Sequence, residues 1–439
     1  MKNRLVQLFG RLVVLALVSA FVGLFFLTER VGAIPSFARR YETACTTCHI
    51  VPPKLNSFGI AFKNNGYRIP VDDEKFIKQP DVPMGAPGWK KVWPEGVWPG
   101  AIPDRVPLSV AIEMVTDIAP KESVKVDFAF PEEFELLAGG TLGSRFSYLG
   151  ELAFEFDGGE TEVDFERGHF NIELLENNPL MNLRLGRFET GATPFSRFSY
   201  RLTDEDFIVS NFRAVDGGFR FRGRQQGFEL WGARNGPGGG GFQYSLGLVN
   251  GKASSNDDNS QKDFYAGASY KFGGFGVTGP ATSLDTLKST QNYIDNSVEV
   301  GVFGYVGRTG ETPLEEVRFS RMGFKVNAYL DRLNLFGAYV RGRDLVLGAG
   351  PPRITTDAWF VEGDVVTPYP WLVAILRYDQ AVGDPTFLHV KRVVPGVAMM
   401  IRANVIVTAE APIYLGDENA LSNGDVAKSG AVVRLSFFF

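Results

Sequence analysis

From about residue 107 to its end, the chain consists of short segments in which apolar and polar side chains alternate. Each segment runs roughly 8–12 residues, and turn residues separate one from the next. The clearest segments are 146–156, 181–189, 217–223, 227–234, 242–251, 297–308, 321–330, 333–342, 359–366, 371–380, 405–415 and 430–439. A period of two is that of a β-strand, so the pattern predicts an all-β region with about 17 candidate strands.

Two folds fit such a series of strands. A soluble sandwich buries the apolar parity in a core, whereas a transmembrane barrel turns it outward to lipid and lines the lumen with the polar parity. Strands of this length can cross a tilted bilayer, and the chain closes on "RLSFFF", which resembles the ending of bacterial outer-membrane proteins. Bacterial single-chain barrels close with even numbers of strands. We therefore predict an all-β transmembrane barrel of about 16 antiparallel strands over residues 106–439.

The connections between segments alternate between tight and long. Tight turns are expected at 331–332 and 367–370. Long polar stretches, which we interpret as outer loops, are 190–213, 252–262, 273–296, 343–356 and 416–429. Arg220, Arg222 and Arg224 alternate within one predicted strand, which indicates a basic ladder on the lumen face or, alternatively, partners for an anionic ligand.

Residues 1–33 have the pattern of a signal peptide. Lys2, Arg4 and Arg11 precede a 16-residue apolar or small stretch, and small residues lead to Ala33. The alternative is an uncleaved inner-membrane anchor, for which the stretch is short. Cleavage would take away four positive charges and one negative and change the net charge from −5 to −8. An acidic chain argues against nucleic acid as a partner.

Both cysteines of the chain lie in "ACTTCH", where His49 directly follows Cys48. A CxxC pair can cycle as a redox dithiol, supply half of a zinc site or carry a haem. No βαβ pattern surrounds it, and the other histidines, His169 and His389, are isolated. The CxxCH spacing predicts attachment of one covalent c-type haem through Cys45 and Cys48, with His49 as the proximal iron ligand.

The sixth iron ligand is less clearly indicated. Met84 lies 35 residues after His49 and would give the His/Met pairing that raises a reduction potential. His169 and His389 are alternatives if they face the lumen, and Met114 is a more remote one. An open sixth position is a further alternative.

Residues 34–105 are predicted to form a small helical or irregular haem domain. Leu55, Phe58 and Phe62 share one face of a short helix that ends at Asn65-Gly66, and this face is expected to cover one side of the haem. It could equally pack on protein. A Pro- and Trp-rich stretch then leads to the first strand, and a region this small needs the haem as part of its interior.

The block from Ala33 to Tyr67, "AIPSFARRYETACTTCHIVPPKLNSFGIAFKNNGY", followed by a porin-like region, resembles the fused monohaem cytochrome–porin family of outer-membrane iron oxidases. The resemblance implies a haem segment that plugs the barrel in the outer membrane. It also implies extracellular Fe(II) as the electron donor and a periplasmic c-type cytochrome or similar carrier as the acceptor.

Three functional hypotheses follow. The first is outer-membrane electron transfer from extracellular Fe(II) to periplasmic carriers. The second is a conduit of the same build that serves another donor or an external acceptor. The third is a porin in which the haem segment is structural or regulatory.

Overall fold

A computed structural model describes most of the chain beyond residue 35. The described residues are 36–79, 81–83, 91, 101–103, 107–120, 123–157, 159–215, 218–251, 257, 259–280, 289, 291–310, 316–346, 353–384, 388–416, 419 and 429–439. The predicted signal peptide and Met84 lie outside them. Within these ranges no helix has the length and apolar character needed to cross a membrane.

Sixteen antiparallel strands form one closed barrel, as predicted. They are β1 Leu108–Ile118, β2 Val126–Leu142, β3 Phe146–Asp157, β4 Glu160–Glu173, β5 Asn182–Phe188, β6 Gln225–Asn235, β7 Gly240–Val249, β8 Asp263–Gly273, β9 Ser297–Thr309, β10 Val317–Leu330, β11 Leu333–Val346, β12 Arg353–Val366, β13 Leu372–Asp384, β14 His389–Arg402, β15 Val405–Glu410 with Ile413–Tyr414, and β16 Ala431–Phe438. Both pieces of β15 pair with β14, so they count as one interrupted strand. The ring closes where β16 pairs with β1.

The sixteen strands form the wall of the barrel, and the alternating pattern gives this wall an apolar outer face and a polar inner face. Val302, Met322 and Leu376 are about 60% exposed on the outside, although they are apolar. Their polar strand neighbours Arg321 and Arg377 point inward and are fully buried. This is the inside-out arrangement of a barrel that meets lipid, rather than that of a sandwich.

The barrel has a terminal end, where β1 begins and β16 finishes, and an opposite loop end. The short turns at 331–332 and 367–371 lie at the terminal end, as expected. The connection from β8 to β9 also starts and finishes there, because β8 runs toward the terminal end. The prediction that 273–296 is an outer loop was therefore wrong; length and polarity do not reveal which end a connection occupies.

Residues 189–215 and 218–224, here the inner segment, belong to the connection from β5 to β6 and fold into the lumen. They carry two short helices, Arg197–Tyr200 and Ile208–Asn211. Phe207 stacks on Phe360 of the wall at 4.4 Å between ring centroids, and Phe219 stacks on Phe319 at 4.3 Å. The prediction of a strand at 217–223 was therefore wrong, and the loop predicted over 190–213 does connect strands at the loop end but folds into the lumen. The phenylalanines that suggested strand alternation instead bury themselves against the inside of the wall.

Residues 36–79, here the plug segment, occupy the lumen at the terminal end. They form the helices Ser36–Tyr41, Ser57–Asn64 and Asp73–Phe76, the 3-10 turn Cys45–Thr47, and a short ladder of His49–Val51 with Lys54–Leu55. The helix Ser57–Asn64 is the one that the sequence predicts. Asn56 caps its start by accepting a hydrogen bond from the Gly59 N–H, and it ends before Gly66, whose φ is 62°.

Candidate functional site

Polar side chains fix the plug segment to several parts of the wall. Lys54 is fully buried, forms an ion pair with Asp364 of β12 and lies 4.1 Å from the ring centroid of Phe336. On another side, Arg68 Nη1 lies 2.7 Å from Glu173 Oε1 of β4. Because contacts on separate strands hold it, the segment has a defined place in the lumen.

The turn that carries the cysteines rests on the helix Ser57–Asn64. Asn56 Nδ2 donates to the carbonyl oxygens of Thr46 and Thr47 at 3.2 and 3.0 Å. Gly59 permits the close approach, since a Cβ at this position would lie 2.1 Å from the Cys48 carbonyl oxygen. The motif and the helix are thus one packed unit.

Both cysteines are free thiols and half-buried. Burial raises the pKa of Cys48 to about 12 and also raises the pKa of Cys45. Each side chain is therefore a neutral thiol at pH 7. No disulfide competes for either sulfur.

The imidazole of His49 is oriented by the backbone that follows it. Its Nδ1 lies 3.2 Å from the Pro53 carbonyl oxygen, and donation from Nδ1 leaves the Nε2 lone pair available. Burial among protein atoms lowers the pKa of His49 to about 4, although part of the ring surface faces a cavity. Neutral imidazole with its second nitrogen bound to a carbonyl is the usual state of a metal-ligating histidine.

Cys48 and His49 line a cavity of about 440 Å³ between the plug segment, the inner segment and the wall. Its volume falls within the range typical of cofactor sites, ~300–1,000 Å³. From the predicted apolar face, Leu55 and Phe62 line it, but Phe58 does not. Phe58 lies on the same helix face as Phe62 and in the same buried cluster, but there it packs edge-on against Phe275.

Four cations also line the cavity: Lys63, Arg167, Arg184 and Lys325. Three of them form ion pairs with carboxylates of the wall. Lys63 instead donates to Ser199 Oγ at 3.1 Å and has no carboxylate within ion-pair distance among the residues described. Burial is the main cause that lowers the pKa of Lys63 to about 8, and the positive charge of Arg184 adds to it. Lys63 can therefore accept an anionic group of a ligand.

The predicted arginine ladder does not reach this cavity. Arg222 pairs with Asp206 of the inner segment at 2.9 Å, and Arg224 pairs with Glu166 of β4. Arg220 is 3.4 Å from the Asn211 side-chain oxygen. These residues belong to the inner segment rather than to a strand, so they do not form a ladder.

The other candidate ligands are distributed unevenly. His169 of β4 lines the cavity together with Cys48 and His49. His389 begins β14 at the loop end, and Met114 lies at a bulge of β1; neither lines the cavity. Met84 falls in a part of the chain that the structure does not describe.

A carboxylate cluster that sequence reasoning missed lies beside the cavity. Its members are Glu133, Glu135, Glu151, Glu155 and Glu166, whose oxygens form two overlapping triplets with spacings within 4.8 Å. They come from β2, β3 and β4, closer to the loop end than the cavity-lining residues of the same strands. Arg167, Arg197 and Arg224 compensate part of the charge. Repeated glutamates in neighbouring strands were the available signal, but only pairing brings them together.

No protein-family model and no curated relative matches the chain. Among solved structures, it is similar to an anion-selective porin from Comamonas acidovorans, with 13% identity, a TM-score of 0.52, and coverage of 76% of this chain and 98% of that one. OmpF of Salmonella typhi has 12% identity, a TM-score of 0.49 and coverage of 76% and 97%; OmpT of Vibrio cholerae has 11%, 0.47, 76% and 97%. Similarity at this level of identity concerns the fold alone, and the fold is that of a porin-like barrel.

Proposed function

We propose that the protein is an outer-membrane electron-transfer cytochrome, in which Cys45 and Cys48 attach one c-type haem inside the barrel and His49 binds its iron. The observation that carries this proposal is the position of the CxxCH motif. Cys48 and His49 line a cofactor-sized cavity within the lumen, rather than lying on a surface.

The residues present fit a haem. His49 is neutral and held by a carbonyl, and Leu55, Ile60 and Phe62 give the cavity an apolar side for a macrocycle. Lys63 is a cation without a carboxylate partner among the described residues, so it is available to pair with a propionate of the haem. A haem bound there would supply one-electron exchange. The chain's own part is to fix the imidazole, exclude water with aromatic side chains and balance the anionic edge.

The exposed apolar band of the wall supports a place in a membrane. In bacterial outer-membrane barrels the short turns face the periplasm, so the terminal end is assigned to that side. The plug segment then lies in the periplasmic half of the lumen, and the inner segment enters from the external side. A periplasmic carrier could approach the haem through the plug segment.

The carboxylate cluster favours a cationic donor that arrives from outside. Its five carboxylates face three guanidinium groups and lie on the external side of the cavity. Carboxylate oxygens suit hard divalent cations, and a lumen of negative charge raises their local concentration. We therefore name extracellular Fe(II) as the electron donor. Two segments occupy the lumen, which argues against a plain porin with an accessory haem.

Covalent haem attachment is tested by denaturing electrophoresis with staining for peroxidase activity. The wild-type band should stain, and the combined variant Cys45→Ala/Cys48→Ala should lose the stain while still folding as a heat-modifiable barrel. Thr46→Ala, which changes an exposed residue between the cysteines, is the matched control and should stain normally. Stain that persists in the double variant would refute the assignment.

A further inference from the structure

One histidine of the wall faces the same cavity as the CxxCH motif. His169 lies on β4, opposite Leu149 of β3 and Gly186 of β5, and only 6% of it is exposed. The residue lines the cavity that Cys48 and His49 also line. His169 therefore belongs to a paired part of the barrel wall, and its side chain faces the cavity beside the plug segment.

The polar atoms of this imidazole are poorly satisfied. Its Nε2 lies 3.4 Å from the Tyr67 hydroxyl, which is a long contact, and its buried Nδ1 makes no hydrogen bond of normal geometry among the described residues, although the Arg187 backbone lies near the ring. The ring packs edge-on against Phe188, with 6.3 Å between centroids. Buried polar groups are almost always well paired in proteins, so an imidazole with only such weak contacts can take a further partner in the cavity.

The competing residues are less well placed. His389 and Met114 do not line the cavity, and Lys63 already donates to Ser199 Oγ. Among the described residues that line the cavity, His49 and His169 are the two histidines. One comes from the plug segment and the other from the wall.

We propose that His169 is the second axial ligand of the haem iron, opposite His49; this inference rests on the proposed function. An imidazole from each region would bind the iron, so the metal would join the plug segment to β4. Two imidazole ligands make the iron low-spin. Because no methionine sulfur binds the iron, the reduction potential should lie below that of His/Met cytochromes. Met84 would then have no role in ligation.

The test uses the purified full-length protein in detergent, with electron paramagnetic resonance and absorption spectra of the oxidised haem. Wild type should be low-spin and lack the absorption band of methionine–iron ligation. His169→Ala should lose the low-spin signal and become high-spin, and added imidazole should restore it. His169→Met should instead raise the midpoint potential by supplying a sulfur ligand.

His389→Ala and Met84→Ala are the controls and should keep the wild-type spectrum. Barrel folding is checked in each variant by heat-modifiable migration, and haem attachment by staining. Stained His169→Ala protein that remains low-spin overturns the ligand assignment but leaves the proposed function intact, as does a change to high spin in Met84→Ala. Wild-type protein without covalent haem overturns both.

Discussion

The wall and the plug segment are built on opposite principles. In the wall, neighbouring strands pair over long continuous registers; β9 and β10 pair without interruption from Ser297 opposite Tyr329 to Thr309 opposite Val317. In the plug segment the helices have 6, 8 and 4 residues, and isolated helices shorter than ~12–15 residues are marginal in water. The wall therefore owes its structure to backbone pairing. The plug segment owes its structure to side-chain contacts with the wall and, in our proposal, to a covalent haem.

This difference separates fold from chemistry. A closed barrel satisfies its own backbone hydrogen bonds, so its formation does not need the plug segment. The plug segment, by contrast, is too small to bury a sufficient core by itself. Changes at its contacts should therefore impair the site while leaving the barrel intact.

The largest effect is expected from Lys54→Ala. This change leaves Asp364 buried without its partner, and breaking a buried ion pair costs ~3–5 kcal/mol. The plug segment should detach and become sensitive to added protease in the folded, detergent-solubilised protein, whereas the barrel should keep its heat-modifiable migration. Lys75→Ala is the control: its pair with Asp72 is exposed and contributes ~0–1 kcal/mol. Equal protease resistance of the two variants would contradict the proposed anchoring.

A smaller but still clear effect is expected from Gly59→Val. The added side chain would meet the Cys48 carbonyl oxygen, and overpacking of this kind costs ~1–3 kcal/mol. Because the helix would move away from the cysteine turn, haem staining per folded barrel should decrease. Gly150→Ala in β3, where a Cβ meets nothing within 4 Å, should stain as wild type. Normal staining of Gly59→Val would show that the close approach is dispensable.

The combined change Glu135→Gln/Glu151→Gln should slow haem reduction by Fe(II) several-fold, since it replaces two carboxyl groups of the cluster by neutral amides. Stopped-flow absorption at low ionic strength measures the rate, with the neutral reductant hydroquinone as a comparison. Only the rate of haem reduction by Fe(II) should decrease, and the rate with hydroquinone should not change. Glu42→Gln changes an exposed residue of the plug segment and should alter neither rate. A parallel loss with both reductants would indicate structural damage instead.

The smallest effect is expected from Lys63→Met. A positive charge beside the cavity favours the reduced haem. Its removal should therefore lower the midpoint potential by the equivalent of on the order of 1 kcal/mol in free energy. Redox titration followed by absorption measures the shift. Lys75→Met, at an exposed position, should leave the potential unchanged. An unchanged potential in Lys63→Met would place the lysine away from the haem.

Alternation along the chain, together with strand length, the aromatic end and the even-number rule, was enough to predict the barrel and its sixteen strands. It failed at 217–223, because an extended segment inside the lumen shows the same alternation as a strand: its phenylalanines face the wall. It also failed at 273–296, because the end that a connection occupies depends on counting every strand before it.

The candidate site divides in the same way. Cys45, Cys48 and His49 are adjacent in sequence, so their spacing alone predicts haem attachment. The cavity is assembled from the plug segment, the inner segment and several strands, and the carboxylate cluster from the neighbouring strands β2, β3 and β4, so tertiary packing and strand register bring these residues together. Gly59 is a further example. Its backbone contacts Cys48 so closely that no Cβ fits, and no local sequence pattern reveals this contact.

The central claim is that a haem in the lumen takes electrons from outside the cell. The most direct test is to add Fe(II) to intact cells that produce the protein and to follow the haem spectrum before and after permeabilisation of the outer membrane. We expect Fe(II) to reduce the wild-type haem in intact cells, and His49→Ala to lose this reduction while its barrel remains inserted. A wild-type haem that stays oxidised in intact cells, but is reduced once the outer membrane is permeabilised, would contradict the account and place the site on the periplasmic side.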